Sequence, residues 1–248
     1  MDFNFTKEQD LLRSSVRDFA ERTVAPKVKI MEESGEVPWD AIGEMGKLSL
    51  TAINIPRDFG GAGRGLVERT IALEEVSRIS AATAFMLGIF HLGTAPIVEA
   101  GNDEQKRRIL PKMATGDRLG TLAATEATGG SDPTGIQTSA RKEGGNYFLT
   151  GRKIFITNSH VADVQVVTAR TGEGPKGISA FIVEKGMKGF KPGREEHKFG
   201  IRGCNTGEVI LESCEVPEGN LLGKEGDGLR IALKAISEHG RMGMAACA

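Results

Sequence analysis

Two short segments of the chain carry the residue types best suited to bind a ligand. Residues 125–132 read TEATGGSD, and residues 153–158 read KIFITN. Together they offer several hydroxyls, backbone N–H groups beside paired glycines, and one aromatic ring, that of Phe155. Anionic oxygens need several converging donors, and glycine lets the main chain approach a ligand closely. This combination predicts a site for a phosphorylated, ring-bearing ligand, which is the chemistry of a bound nucleotide cofactor.

The composition limits the classes of protein. The 248 residues are 39% hydrophobic and 26% charged with a formal net charge of −1, as in an ordinary soluble globular protein. Charges of both signs are mixed along the chain, which argues against a nucleic-acid partner. The three cysteines are too few and too late in the chain to cross-link it, which indicates a reducing compartment, and they show no CxxC metal spacing. The first residues lack the pattern of a signal or transit peptide, so we expect a cytoplasmic location.

The longest apolar stretch covers residues 81–98. It is interrupted by Thr83, His91, Thr94 and Pro96. A transmembrane helix needs roughly 20 predominantly apolar residues in succession. The sequence therefore predicts no membrane span.

Helical periodicity dominates the first part of the chain. The first helix is predicted to begin with a capping box formed by Thr6 and Gln9 and to end at Pro26. Residues 85–92 have no polar face, which predicts a helix that is buried on most sides. Three further helices are indicated by Trp39, Ile42 and Met45, by Val67, Ile71, Val76 and Ile79, and by Asn102 as the cap of a helix that ends near Gly116.

A second type of pattern begins at Leu119. Short apolar runs of period two, punctuated by closely spaced glycines, are typical of strands. In one of them Val164 and Val166 alternate with Gln165 and Val167. After residue 220 the helical period returns, and it reaches the end of the sequence without a C-cap signal. The predicted apolar face of this last helix consists of Leu229, Leu233 and Ile236.

Seven segments in order along the whole chain resemble those of the acyl-CoA dehydrogenases, a family of flavoproteins. Taken with the periodicity, the resemblance implies an α+β fold. An N-terminal helical domain covers 1–118, a middle antiparallel β-barrel or sandwich domain covers 119–226, and the first helix of a C-terminal helical bundle covers 227–248. The matching segments are FTKEQ (5–9), PRDFGG (56–61), TE with GSD (125–126 and 130–132), GRKIFITN (151–158), GIRG (200–203), VP with NLLG (216–217 and 220–223) and GR (240–241).

The resemblance implies that the chain binds FAD and an acyl-CoA. In similar proteins the Thr125 position bonds the isoalloxazine, and the Ser131 position bonds the pyrophosphate and touches the acyl-CoA. Leu122 and Phe155 stand where relatives often carry Tyr and Trp, and phenylalanine still offers an aromatic face. The residues implied for FAD are Leu122, Thr125, Gly130, Ser131, Phe155, Ile156 and Thr157, and those implied for the acyl-CoA are Ser131, Glu238 and Arg241.

The general base of the family has no counterpart in this sequence. In relatives a glutamate takes the α-proton of the thioester while hydride leaves the β-carbon for the flavin. That glutamate lies in the C-terminal bundle or, in a minority, directly before the arginine equivalent to Arg241, where this chain has Gly240. No residue present can be assigned this role. The chain is therefore expected to be a truncated polypeptide or a half-length subunit that borrows its missing bundle from a partner.

The predicted function is FAD-dependent α,β-dehydrogenation of an acyl-CoA thioester. Its electrons would pass to an electron-transferring flavoprotein, and the chain would belong to a homo- or hetero-oligomer. One alternative is an oxygen-using flavoprotein of the same fold. Another is a non-catalytic or half-length subunit that needs a partner to cover an apolar face. The face in question consists of Leu229, Leu233, Ile236 and Met244.

Simpler roles for the individual residues also stay open. Residues 125–132 could form a solvent-exposed polar loop between two strands. Ile154 and Phe155 could belong to the core of the barrel. Other structural roles are the bracing of a turn by Ser131 and Asp132 and an ion pair between Glu126 and Arg241.

Overall fold

The computed structural model describes residues 4–248, in which helices precede and follow a β-sheet. The α-helices are α1 (Lys7–Phe19), α2 (Val28–Ser34), α3 (Trp39–Lys47), α4 (Leu66–Ser77), α5 (Ala81–Ala100), α6 (Asp103–Ala114), α7 (Gly228–Ala235) and α8 (Met242–Cys247). The strands are β1 (Gly120–Ala123), β2 (Ser139–Glu143), β3 (Asn146–Thr157), β4 (Val164–Arg170), β5 (Ile178–Glu184), β6 (Phe190–Glu195), β7 (Thr206–Pro217) and β8 (Leu221–Leu222). This order confirms the α+β fold, while the domain boundaries after residues 118 and 226 remain a prediction.

Helix α1 begins as predicted but does not end as predicted. Thr6 Oγ1 accepts the Gln9 N–H at 3.2 Å, and Gln9 Oε1 accepts the Thr6 N–H at 3.0 Å, which completes the capping box. Beyond α1 the chain continues through a π-helical segment, Ala20–Val24, and a 3₁₀ turn, Ala25–Lys27, into α2. Pro26 is tolerated because it lies at the start of a new helical segment, where its missing N–H is of little consequence.

The other N-terminal helices lie where the periodicity places them. Asn102 caps α6 through a capping box with Gln105. Trp39, the first residue of α3, is 58% exposed, and Val67 of α4 is also exposed. The helical period therefore identified the elements, although not every apolar residue on them faces the core. The residues that do so include Ile42, Met45, Ile71 and Val76.

Helix α5 is the central helix of the N-terminal part. It is 20 residues long and passes through Thr94 and Pro96, so the predicted interruptions do not end it. The hydroxyl of Thr94 donates to Phe90 O at 2.7 Å, so it is not left as an unpaired polar group inside the fold. By length and mean hydropathy, 1.6, this helix could cross a membrane, but 83% of that window is buried inside the fold. Such burial is typical of the core helix of a globular domain.

The eight strands form one mixed sheet. The strand order is β6-β7-β3-β2-β4-β5-β8, and β1 pairs with β4 outside this path. Most neighbours are antiparallel, as predicted. Strand β4 is the exception, because both β1 and β2 run parallel to it. The parallel pairing places the end of β1 beside the middle of the sheet.

Strand β4 is buried on both faces, so its period-two pattern does not mark an exposed side. Val164 and Val166 pack against helices α5 and α7. Val167 packs on the opposite face, in a core lined by β3, β5 and β7. Gln165 is also buried, and its Nε2 donates to Ser159 O at 3.0 Å. The sheet therefore has helices on one face and a strand-lined core on the other.

Helix α7 packs on the sheet with a face different from the predicted one. Gly228 lies directly against the backbone of Ser179, with no room for a Cβ atom. This contact turns Ile231 and Ala235 toward the sheet, at helical spacing from Gly228. The residues of the predicted face are instead partly open to solvent: Leu229, Leu233, which is 43% exposed, and Ile236.

Candidate functional site

The structure brings the two predicted ligand-binding segments together. The first segment follows β1 directly, and the second lies at the end of β3. The Ile154 N–H donates to Thr125 O at 3.0 Å. Thr121 Oγ1 donates to Thr157 O at 2.7 Å. These hydrogen bonds hold the loop and the strand end side by side, and we call this place the junction.

The three hydroxyl groups among the residues implied for FAD have no hydrogen-bond partner within residues 4–248. They belong to Thr125, Ser131 and Thr157, which are half-buried or exposed. Asp132, in contrast, accepts from the Thr134 N–H at 2.9 Å and from its hydroxyl at 2.6 Å. The turn-bracing role is thus confirmed for Asp132 and not for Ser131. Free hydroxyls of this kind suit the carbonyl and anionic oxygens of a ligand.

Phe155 combines an unusual conformation with high exposure. Its φ is +56°, in the left-handed region that costs a bulky residue on the order of 1–3 kcal/mol. The residue is 61% exposed, so the interpretation that it belongs to the barrel core is wrong. The pairing of β3 with β7 shifts its register between Lys153 and Ile156, and this bulge re-aims the intervening side chain. An exposed aromatic ring beside free hydroxyls fits a ring-bearing ligand.

Two of the predicted cofactor residues have buried side chains. Leu122 packs between the sheet and the helices, and Ile156 packs in the strand-lined core. Their side chains therefore support the junction from beneath. Gly130 is exposed, whereas its neighbour Gly129 is buried. Gly129 is the position that requires glycine, because a Cβ atom there would lie 2.7 Å from the Ile136 backbone nitrogen.

Replacing Phe155 with glycine is expected to weaken binding of the implied cofactor, FAD, by about two- to tenfold, since an aromatic contact contributes about 0.5–1.5 kcal/mol. The free energy of unfolding of the FAD-free chain should stay equal or rise by up to about 1 kcal/mol, because glycine relieves the left-handed strain. Quenching of FAD fluorescence and urea unfolding measure the two effects. Phe199→Gly, at a fully exposed phenylalanine elsewhere, is the control. Equal FAD affinity in all three proteins would contradict this role of Phe155.

A buried ion pair lies beneath the junction. Lys153 Nζ donates to Glu126 Oε1 at 2.6 Å, and both side chains are buried. Burial lowers the pKa of Lys153 to about 8, although Glu126 opposes this shift. Burial acts to raise the pKa of Glu126, but the Lys153 charge and several hydrogen bonds bring it below its ordinary value. The interpretation that Glu126 pairs with Arg241 is therefore wrong, because Glu126 turns inward to Lys153.

The buried ion pair of Lys153 and Glu126 was not predicted from the sequence. The period of β3, set by the buried Tyr147 and Leu149, places Lys153 on the inner face of the strand. A lysine at an inward position is rarely buried without an acidic partner. That combination was the available signal for a buried pair. The identity of the partner, Glu126, depends on how the loop after β1 folds back over the strand.

The segment with the predicted acyl-CoA residues is a π-helical turn, Ile236–Arg241. Arg241 is exposed. No hydrogen bond within residues 4–248 joins Glu238 or Arg241 to the junction. Gly240 is buried, and a Cβ atom there would lie 3.8 Å from Leu92 Cδ1. Residue 240, where a minority of the family carries the glutamate that acts as general base, is therefore a buried glycine in this chain.

One cluster of possible metal ligands lies beside this turn. Glu99, Glu238 and His239 bring their ligand atoms within 4.8 Å of one another. Lys234 Nζ lies 3.2 Å from Glu99 Oε2, so an ammonium group already compensates the negative charge there. We assign no metal site to this cluster.

A buried guanidinium holds the π-helical turn against α4 and α5. Arg69 Nη2 donates to His239 O at 2.5 Å, and Arg69 Nε donates to His91 Nδ1 at 3.1 Å. His91 Nε2 in turn donates to Leu50 O at 2.8 Å, so His91 is neutral in this arrangement. Burial, assisted by the charge of Arg69, lowers the pKa of His91 to about 3. Burial also lowers the pKa of Arg69 to about 10.

The free energy of unfolding is expected to fall by about 2 kcal/mol between pH 7 and pH 5 because of His91 alone. Its pKa is about 3 in the folded chain against 6.5 in the unfolded chain. The unfolded chain therefore takes up the proton first, and stability that is full above about pH 7 is lost progressively toward pH 3. His239, whose pKa burial lowers to about 4, adds a loss of the same sign.

Urea unfolding between pH 7 and pH 5 tests this prediction. In His91→Gln the slope of stability against pH should fall by about half, whatever the stability of the variant at pH 7. His197→Gln, which removes an exposed histidine, should keep the slope of the parent chain. Equal slopes in His91→Gln and in the parent chain would contradict the assignment of a neutral His91.

Comparison with known proteins agrees with this architecture. Residues 6–117 match the model of the acyl-CoA dehydrogenase N-terminal domain, and residues 121–214 match that of the acyl-CoA dehydrogenase middle domain. An acyl-CoA dehydrogenase of Bacillus subtilis strain 168 is 48% identical over 97% of this chain. A chain in the solved structure described as the electron transferring flavoprotein of Acidaminococcus fermentans is 40% identical, with a TM-score of 0.97 over all of this chain and 66% of that chain.

A third relative was solved with a cofactor. The acyl-CoA dehydrogenase of Bacillus anthracis complexed with FAD is 37% identical, with a TM-score of 0.91 over 98% of this chain and 43% of that chain. The present chain spans 64% of the length of the Bacillus subtilis relative. Helices α1 to α6 fall within the first matched domain model and most of the sheet falls within the second, whereas β8, α7 and α8 follow both matched ranges. The chain belongs to the acyl-CoA dehydrogenase family.

Proposed function

We propose that this chain is the FAD-binding part of an acyl-CoA dehydrogenase, which carries out α,β-dehydrogenation of an acyl-CoA thioester. The main support is the junction, where the free hydroxyls of Thr125, Ser131 and Thr157 accompany the exposed ring of Phe155. The relative solved with FAD supports the proposal independently. FAD supplies the hydride acceptor for this reaction.

Each residue at the junction has a proposed task toward FAD. Phe155 covers one face of the ring system. Thr125 and Thr157 offer O–H donors to the polar edge of the ring, and Ser131 offers one to the pyrophosphate. The main chain at Gly130, which is exposed, can approach the phosphate oxygens closely because glycine has no side chain. These groups bind and orient the cofactor, and none of them transfers a proton.

The acyl-CoA is proposed to contact Ser131, Glu238 and Arg241. The guanidinium of Arg241 is exposed and suits a phosphate of the CoA moiety. Removal of the α-proton requires a carboxylate whose pKa is raised in a dry site. We assign no residue of this chain to that role. Since the chain spans 64% of its Bacillus subtilis relative, we propose that a longer polypeptide or a partner subunit supplies the base.

The electrons are proposed to pass to an electron-transferring flavoprotein, and the chain is proposed to act in the cytoplasm within a homo- or hetero-oligomer. The chain that is 40% identical in the structure described as an electron transferring flavoprotein supports the choice of acceptor. Anaerobic reduction of the flavin followed by air tests it against the oxygen-using alternative. Slow reoxidation by air, with fast reoxidation by the flavoprotein, supports the dehydrogenase. Fast reoxidation by air supports the alternative.

A visible absorption spectrum of the purified chain, with its intact mass, tests the proposed function. The spectrum is recorded after incubation with FAD and again after addition of a panel of acyl-CoA thioesters. A flavin band that bleaches with an acyl-CoA would show dehydrogenation and would place a base within this chain. A yellow but unresponsive chain would support FAD binding with a base supplied from elsewhere. A chain that binds no FAD would overturn the proposal.

A half-length subunit is the second candidate function. It is favoured by the apolar surface of the C-terminal helices, where Leu233 and Met242 are both exposed. An exposed apolar surface of this kind is typical of a protein contact. If the chain needs a partner, a chain with the remaining part of the family fold should restore acyl-CoA oxidation when it is added. Activity of the isolated chain would reject this candidate.

A further inference from the structure

The buried pair of Glu126 and Lys153 connects both segments of the proposed FAD site. Glu126 directly follows Thr125, and Lys153 lies two residues before Phe155. Movement of either charged group therefore displaces a residue proposed to contact the flavin. The backbones of the two segments are also joined at this point by the hydrogen bond from Ile154 N to Thr125 O, at 3.0 Å.

The pair uses its own hydrogen-bonding capacity within the protein. Lys153 Nζ donates to Glu126 Oε1 at 2.6 Å, to Thr168 Oγ1 at 3.2 Å and to Ala124 O at 3.3 Å. These three acceptors match the three donors of an ammonium group. Glu126 Oε2 accepts from Gln137 N at 2.7 Å. Because these groups already have partners within the protein, we expect the pair to act on a ligand through the segments it holds.

Glu126 also ties together the two ends of the loop after β1. Its carboxylate accepts the backbone N–H of Gln137 and that of Thr138, both at the entrance to β2. A single isolated bridge, between Glu126 and Gly129, pairs the loop with itself. One buried carboxylate therefore joins the start of the loop to its end.

Stability alone does not explain a pair of this kind. A buried ion pair loses the hydration of two charges, and apolar residues of similar volume often serve equally well. The pair lies, however, directly beneath a strained segment, since Phe155 has a φ of +56° within a bulge of β3. A left-handed aromatic residue persists only where its surroundings hold it. A directional pair with defined partners can hold it, whereas an apolar contact allows the loop to slide.

We propose that Glu126 and Lys153 are positioning residues for the flavin. The pair holds Thr125 and Phe155 side by side, so that FAD meets a preorganised surface. This inference rests on the proposed FAD site. Loss of the pair should then loosen the bound flavin even in a chain that folds normally.

The test compares FAD binding in four forms of the 248-residue chain. The first variant, Glu126→Leu with Lys153→Met, replaces the pair by apolar residues of similar size. The second, Glu126→Gln, keeps the shape and removes the charge. The control, Lys191→Met with Glu212→Leu, removes an exposed ion pair between β6 and β7. The fourth form is the parent chain. FAD fluorescence quenching gives the dissociation constant, and fluorescence anisotropy reports the mobility of the ring.

The apolar double variant should keep its urea midpoint while its dissociation constant for FAD rises at least tenfold and the anisotropy falls. Glu126→Gln should weaken FAD binding at least threefold, and the control should stay within twofold of the parent. Unchanged FAD affinity and anisotropy in the folded double variant, whatever its urea midpoint, would mean that the pair is purely structural and would overturn the inference. If the double variant does not fold, Glu126→Gln decides by the same criteria. Failure of the parent chain to bind FAD would instead reject the proposed function.

Discussion

Replacing Gly93 with alanine is expected to lower the free energy of unfolding by about 3 kcal/mol, the typical upper cost of overpacking a core. Gly93 lies in α5 where this helix crosses β1. A Cβ atom there would lie 2.5 Å from Gly120 C and 2.6 Å from Thr121 Cα, and closer still to Thr121 N. All three are backbone atoms, so no side chain can rotate away. The helix and the strand would have to separate.

The sign of this effect distinguishes packing from helix propensity. In an exposed helix alanine is more favourable than glycine by about 0.5–1 kcal/mol. A Cβ atom at Gly43 of α3 would have no neighbouring atom within 4 Å, so Gly43→Ala is the matched control. It should raise the free energy of unfolding by about 0.5–1 kcal/mol. Urea unfolding of the two variants measures both changes. A stabilised Gly93→Ala would contradict the close contact of α5 with β1.

The same contact bears on the junction. Thr121, whose backbone Gly93 touches, donates its hydroxyl to Thr157 O at 2.7 Å. A shift of β1 away from α5 would therefore also disturb the segment that carries Phe155. We expect Gly93→Ala to weaken FAD binding in addition to its effect on stability, and Gly43→Ala to leave FAD binding unchanged.

Replacing Glu75 with glutamine is expected to lower the free energy of unfolding at pH 7 by about 3 kcal/mol. Glu75 is a buried carboxylate of α4. It accepts from Arg13 Nε at 2.8 Å, from Arg17 Nε at 2.9 Å and from Arg78 Nη1 at 2.9 Å. The bonds from Arg13 and Arg17 tie α1 to α4, and that from Arg78 lies at the end of α4 itself. Glutamine keeps the shape of the side chain but loses the charge that all three half-exposed arginines share.

The pH dependence of this effect follows from the pKa of Glu75. The hydrogen bond from Arg17, reinforced by those from Arg13 and Arg78, outweighs burial and lowers the pKa from 4.5 to about 2. The carboxylate therefore contributes its full stabilisation above about pH 5, and this contribution is lost as the pH falls through 2. The difference between the parent chain and Glu75→Gln should be constant near neutral pH and should shrink at acid pH.

Urea unfolding at pH 7 and at pH 3 measures this difference. Glu74→Gln removes the neighbouring exposed carboxylate of α4 and is the matched control. It should change the free energy of unfolding by less than about 0.5 kcal/mol. A Glu75→Gln variant as stable as the control at pH 7 would show that the three arginines contribute nothing through Glu75.

The sequence by itself determined the features that depend on neighbouring residues. The capping boxes at Thr6 and Asn102 form as predicted, because donor and acceptor lie three residues apart. The run at 85–92 lies in a buried helix because no rotation of that helix exposes a polar face. The motifs TEx₃GSD and KIFITN indicated a ligand site because their side-chain chemistry can be read without coordinates.

Tertiary structure decided the features that depend on residues far apart in the chain. From the sequence, Arg241 was a possible ion-pair partner of Glu126. In the folded chain the loop after β1 lies over β3 and buries Glu126 against Lys153. Strand propensity alone also allowed Phe155 to be a core residue, and the bulge opposite β7 accompanies its exposed position. Spacing on a helix permits several apolar faces, so the face that α7 buries was decided by the close contact of Gly228 with β5.

The physical reason is the range of the interactions. Caps, turns and helical periods involve groups within a few residues of one another, so their geometry is encoded locally. Burial of a charge, the register of a bulged strand and the packing of a glycine against another backbone all require a partner brought from elsewhere in the chain. The residue types of the proposed FAD site could therefore be recognised in the sequence, whereas the pair proposed to position them became visible only in the folded chain.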